Sequence, residues 1–272
     1  MRVVTWSVAL AGVAVAASGC GIGVSAETLH ENRSYDVSEP VSTVRLGVDS
    51  DRIEVVGADV TKVTVHERLS FTKGERPTSK NTTVNGTLHL RYDCRDGIHI
   101  GISPTCKIGY RVTVPRDTNV QLTGDSGRLQ VTGVAGSVNA HTDSGTINLV
   151  DLRSPKVVAT SDSGTIQVAG KAETSTLRTN SGTITAENLT VSSLTASTDS
   201  GRIRATCTAP PSNVMATSDS GAVELVLPGD RAYAVVTNTD AGPETIDVNR
   251  DPASQFRVRV STDSGAIKIL EA

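Results

Sequence analysis

Carboxylates recur in this chain at a spacing regular enough to act together. The tripeptide Asp-Ser-Gly begins at Asp125, Asp143, Asp162, Asp199, Asp219 and Asp263, and Asn180-Ser-Gly and Asp240-Ala-Gly complete the series. Successive steps are 18, 19, 18, 19, 20, 21 and 23 residues. On one reading the carboxylates stack and hold Ca²⁺ or another cation, since like charges at the spacing of stacked strands repel by about 1 kcal/mol even in water. On the other, each Asp or Asn closes its own turn by bonding a backbone N–H two residues on, and the Gly supplies a sharp corner through positive φ. Asn180 suits the turn but is a poorer ligand for a hard cation. Ala241 in place of Ser shows that the hydroxyl is dispensable once. No Gly-Gly-x-Gly-x-Asp nonapeptide occurs, so the pattern is not that of a calcium β-roll. The structural reading is the favoured one, and neither metal nor cofactor is assigned.

Other reactive groups are scattered. Cys94 and Cys106 bound an eleven-residue loop and read as a disulfide, with metal binding alongside His89 and His99 as the alternative; the spacing matches no zinc motif. Cys207 falls at inward parity and reads as a buried thiol. The five His residues (His30, His66, His89, His99, His141) form no cluster in the sequence, and there is no Gly-x-Ser-x-Gly elbow. The Ser of Asp-Ser-Gly recurs too often to be a unique nucleophile. These observations disfavour an enzyme; a carbohydrate-active β-helix enzyme is the catalytic alternative.

The elements that carry the series follow from its flanks. Four residues after the Asp come Leu129, Ile147, Ile166, Ile184, Ile203, Val223 and Ile267; six after come Val131, Leu149, Val168, Ala186, Ala205, Leu225 and Ile269. Three before come Leu122, Ala140, Ala159, Leu177, Ala196, Ala216 and Val260. Polar residues lie between, so both sides of each turn alternate with period two, the pattern of half-buried strands. A unit of about 20 residues cannot bury a core alone, but stacked units can. The expectation is an all-β, single-stranded, right-handed parallel β-solenoid over 121–272, with about 18–23 residues per coil and each coil on the one before. Two long faces per coil are favoured, and Val134, Leu152 and Leu189 leave a short third side open. Residues 41–120 read as an irregular β portion, namely opening coils with inserted loops at Thr72 to Gly86 and between the two cysteines. The edge at Ala266–Leu270 has no obvious cap, so another chain could add there.

Composition agrees with a thin, repetitive β core. The chain has 272 residues, 37% hydrophobic and only 3% aromatic, with 24 Gly. Lys+Arg is 26 against Asp+Glu 29, a formal charge of −3 with no basic cluster, which excludes the usual footprint of a nucleic-acid binder.

The first residues read as an address. Arg2 is followed by an apolar run from Val3 to Ala17 and then Ala17-Ser18-Gly19-Cys20. This resembles the lipobox of bacterial lipoproteins, although Ala17 stands where Leu is usual. The resemblance implies a signal peptide over 1–19, acyl chains on Cys20, and attachment to a membrane outside the cytoplasm, an oxidising setting. An ordinary secretory signal cut near Ala26 is the alternative. Residues 20–40 read as a flexible, lipid-anchored linker.

Tyr110-Arg-Val-Thr-Val-Pro115, followed by the Asp-Ser-Gly series, is similar to the layout of the bacterial DUF4097 family of adhesin-like proteins, from Val41 to Leu270. The resemblance implies a β-solenoid and no catalytic residues. The functional expectation is a non-catalytic, envelope-anchored binding or scaffold surface, with an envelope protein or glycan as partner. A structural or envelope-stress protein without a specific ligand is the other alternative.

Overall fold

The computed structural model describes residues 27–49, 51–94 and 104–272. Among them there is no helix, and the strands join in one curled 18-stranded sheet. The N-terminal part contains β1 (Thr28–Val37), β2 (Thr43–Val48), β3 (Arg52–Ala58), β4 (Val63–Thr72), β5 (Thr78–Val84), β6 (Thr87–Asp93) and β7 (Cys106–Pro115). The repeats follow as β8 (Asn119–Gly124), β9 (Arg128–Thr132), β10 (Val138–Thr142), β11 (Thr146–Ser161) and the 43-residue β12 (Thr165–Cys207). They continue as β13 (Asn213–Ser220), β14 (Val223–Leu227), β15 (Ala234–Ala241), β16 (Glu244–Asp247), β17 (Arg257–Ser264) and β18 (Ile267–Glu271).

The repeats stack in parallel, as their alternation requires. Ile147 faces Leu129 on one side and Ile166 on the other, and Ala140 lies between Leu122 and Ala159. All the apolar residues four and six after the Asp, and three before it, are buried in seven of the eight copies. A short third side is present as well. Leu152–Ser154 pairs with Gly170–Ala172, Arg153 N–H donates to Val134 O at 3.0 Å, and Val134, Leu152 and Leu189 are buried.

Sequential stacking fails at both ends. At the C-terminal end β18 lies between β14 and β16, and β17 between β13 and β15. The Asp263 copy therefore sits on the Asp219 copy, and the Asp240 copy is outermost. The segment Ala266–Leu270, expected to be an open edge, is covered. The reason is burial: Val260, Ile267 and Ile269 are 0% exposed in the interior slot, whereas the equivalent Asp240 positions are Thr237, Glu244 and Ile246, which lose less by facing water. At the other end the coil β2–β3 lies between β6–β7 and β8–β9.

Two stretches taken for irregular chain are strands. Residues 28–37, placed in the flexible linker, form β1, antiparallel to β4. Its inward positions include Glu31, Arg33 and Tyr35, so no apolar alternation announced it. The polar loop from Thr72 to Gly86 contains β5, antiparallel to β6. β4 is in turn antiparallel to β7, so the opening coils carry an antiparallel annex. The signal segment, Cys20 and residues 95–103, including His99, lie outside the described residues.

Candidate binding face

The Asp-Ser-Gly turns align at one corner, but not for the reason the motif suggested. None of the Gly residues at 127, 145, 164, 182, 201, 221 and 265 has φ in the left-handed region. A Cβ at Gly164 would lie 2.0 Å from Gly145 O, one at Gly182 1.9 Å from Gly164 O, and one at Gly201 1.8 Å from Gly182 O. Glycine is required because consecutive backbones touch there. Left-handed residues occupy a second corner, eight positions after the Asp: Gly133 (φ 70°), Asp151 (51°), Gly170 (120°) and Asn188 (50°). That Gly/Asp/Gly/Asn register is legible in the sequence.

Among the described residues no hydrogen bond joins a carboxylate of the series to its own turn. The turn is held between rungs: Ser144 N–H donates to Asp125 O at 2.7 Å, Ser163 to Asp143 O at 2.7 Å and Ser181 to Asp162 O at 2.8 Å. Asp125, Asp143, Asp162, Asn180, Asp199, Asp219, Asp240 and Asp263 are all exposed. Of these, Asp143 has a side-chain neighbour, His141 Nε2 at 3.3 Å. Asp49 begins the preceding copy, and its carbonyl accepts Ser126 N–H at 2.9 Å. Among the described residues no three His, Cys, Asp or Glu side chains converge to hold a metal ion.

A hydroxyl precedes most of these acids and faces inward: Thr142, Ser161, Thr179, Thr198, Ser218 and Thr262 are buried. Ser161 Oγ lies 2.6 Å from where a Gly164 Cβ would stand, so the hydroxyl fills space that the glycine leaves. This Ser/Thr stands before most members of the series, with Gly124 before Asp125 the exception among the Asp-Ser-Gly copies, and is legible in the sequence.

Cys94 and Cys106 form a disulfide with Cα atoms 6.0 Å apart, within the ordinary range, while His89 lies on β6. Cys207 is buried, and burial pushes its thiol up to about 11. In the annex, Glu67 is 2% exposed and accepts the Tyr35 hydroxyl at 2.9 Å and the Ser79 hydroxyl, with Arg33 Nη1 4.0 Å away. Burial, above all, pushes Tyr35 and Tyr92 up to about 12 and raises Tyr110 further. These groups lock the annex together.

On the wall formed by β1, β4, β7, β3, β9, β11 and the start of β12, residues that face away from the core form straight rows across the strands. One row runs Asn32, Arg68, Gly109, Arg52, Arg128, Thr146, Thr165; the next runs Ser34, His66, Arg111, Glu54, Gln130, Asn148, Gln167. A trough of about 470 Å³ follows their first half, with Gly109 at its floor. It shares Asp51 and Arg52 with a shallower trough over Ser126, Ser144 and Ser163, so the concave surface is continuous across several rungs.

The model of the family described as Toastrack DUF4097 matches residues 42–270. Among solved structures, a "putative adhesin" from Bacteroides fragilis NCTC 9343 aligns with TM-score 0.57 and 17% identity, over 89% of this chain and 97% of that one. A "putative adhesin" from Parabacteroides merdae ATCC 43184 aligns with TM-score 0.49 and 13% identity, over 89% and 96%. A "putative lipid binding protein" from Parabacteroides distasonis ATCC 8503 aligns with TM-score 0.40 and 13% identity, over 89% and 96%. No curated protein is significantly similar to the chain.

Proposed function

The chain belongs to the Toastrack DUF4097 family, and from that premise we propose that it is a non-catalytic, extracytoplasmic protein whose stacked wall is an adhesin-like binding or scaffold surface. The single observation that carries this reading is the rung-to-rung contact at the glycine corner. Backbone carbonyls and glycine Cα atoms meet there with no room for a side chain. The outward rows are thereby held at a fixed repeat of about 4.8 Å. Such a surface orders little on binding, and many weak contacts to one extended partner sum through avidity.

On this reading the coils wind right-handed, as parallel crossovers do. Residues 1–19 are a signal peptide and Cys20 carries acyl chains. Acylation with more than one chain gives lasting attachment, which places the wall at the cell surface or envelope. The Cys94–Cys106 disulfide supports an oxidising compartment.

The test has two arms. Mass spectrometry of the mature protein is expected to find an acylated Cys20 at the N-terminus; an unmodified chain starting beyond it removes the anchor. A pull-down from envelope extracts is expected to enrich a glycan or protein, and turnover on a glycan panel would replace this reading with an enzyme.

A further inference from the structure

The geometry points to the row Arg68–Gly109–Arg52–Arg128 as a subsite for a linear anionic polysaccharide, a uronate-type chain with carboxylates on successive sugars. The inference rests on the binding-surface reading and names its partner. Arg68 is paired in register with Gly109, Arg52 follows on the next strand, and Arg52 faces Arg128 directly. All three arginines are exposed, and among the described residues none has an acidic partner. Arg52 and Arg128 stand opposite each other on neighbouring parallel strands, so their like charges repel, and an anion over the pair relieves that repulsion.

The neighbouring acids do not fill that role. Glu54 is taken by Arg111 at 3.7 Å. The Asp51 carboxylate lies over Gly109, where all three of its atoms stand 3.3 Å from the position of a Cβ, and it accepts the Arg52 backbone N–H at 2.7 Å. His66, Ser34 and Asn32 complete the wall.

This mixture selects among anions. A bare phosphate gains from the guanidiniums but is repelled by Asp51 at the centre of the row. An anionic lipid surface also attracts arginines, but it offers no chain of hydroxyls to follow the second trough, which is lined by Ser, Gly, Thr, Arg and Asp51. An anionic sugar chain suits both features: its carboxylates take forked arginine hydrogen bonds, and its hydroxyls donate to Asp51 and exchange bonds with the Ser and Thr of the continuing trough. One sugar of an extended chain covers roughly one rung of about 4.8 Å, so a run of a few sugars passes Arg128 and Arg52 and meets the Asp51 carboxylate over Gly109 on the way to Arg68.

The full chain is titrated with a short oligogalacturonate by calorimetry. Binding is expected, weakening as salt rises. R52Q/R128Q, with an unchanged melting curve, is expected to bind at least tenfold more weakly, since charge-assisted hydrogen bonds are lost. Arg204→Gln, several rungs away and paired with Glu224, is expected to leave the affinity unchanged. A neutral galactan, inorganic phosphate and anionic vesicles serve as comparison ligands and are expected to bind more weakly. Absence of oligogalacturonate binding, equal binding by the double variant, or equal affinity for phosphate or vesicles overturns the assignment. If R52Q/R128Q still captures an envelope partner while the oligogalacturonate fails, only this subsite falls. If the native chain captures nothing, the binding-surface reading falls with it.

Discussion

Gly164→Ala separates two explanations of the repeated glycine. If glycine were needed for a left-handed backbone, Asn would be tolerated better than Ala, because Asn visits that region readily. If it is needed because rungs touch, the two are equally damaging. A Cβ at Gly164 would stand 2.0 Å from Gly145 O and 2.6 Å from Ser161 Oγ, whereas real Cβ contacts are not found below 3.0 Å. The carbonyl must therefore retreat by about 1 Å. It also accepts Thr165 N–H at 3.3 Å, and the adjacent Ser163 N–H to Asp143 O bond is 2.7 Å. Losing both bonds removes about 2 kcal/mol, and overpacking adds about 1–3 kcal/mol. The expected loss is about 3–5 kcal/mol, a large part of the 5–15 kcal/mol typical of a folded domain. The assay is urea unfolding of Gly164→Ala and Gly164→Asn beside Ser163→Ala, whose exposed hydroxyl is expected to matter by less than about 0.5 kcal/mol. A loss under about 1 kcal/mol for Ala, or an Asn variant clearly more stable than the Ala variant, refutes the contact argument.

Three further outcomes can be checked. Replacing both Cys94 and Cys106 by Ser is expected to cost about 2–3 kcal/mol by freeing the loop they close; a thermal melt that matches the native protein would show the bridge to be dispensable. Tyr35, Tyr92 and Tyr233 are pushed to about 12, chiefly by burial, so they are neutral in the folded protein when the unfolded chain begins to ionise near 10. Their contribution is complete below pH 10 and is lost as pH rises towards 12, so an ultraviolet titration should show delayed phenolate formation, ending abruptly on unfolding. Tyr233 is 0% exposed, donates to Pro228 O at 2.8 Å and meets the edge of Phe256 at 6.2 Å; Tyr233→Ala is expected to cost about 3–5 kcal/mol in denaturant unfolding, and a loss under about 1 kcal/mol would show that the packing between β14 and β15 does not depend on it.

The sequence by itself determined the repeat, its alternation and therefore the inward set. Ile147, Ile166 and Ile184 announce buried positions because period-two patterning needs no knowledge of neighbours. It also located the corner and the Cys94–Cys106 pair. Only the tertiary structure decided which coil touches which. A strand's pattern says which face is apolar, not which other strand will cover it, so placing the Asp263 copy inside the Asp240 copy depended on comparing burial at two competing slots. β1 is not legible locally because its inward side chains find their partners far along the chain: Tyr35 donates to Glu67 on β4, and Glu31 accepts from Arg76 between β4 and β5. The arginine row was invisible for the same reason: Arg52, Arg68 and Arg128 are far apart in sequence, and only inter-strand register makes them neighbours. Local periodicity is a property of one segment, whereas stacking order and cross-strand rows come from the free energy of the whole assembly.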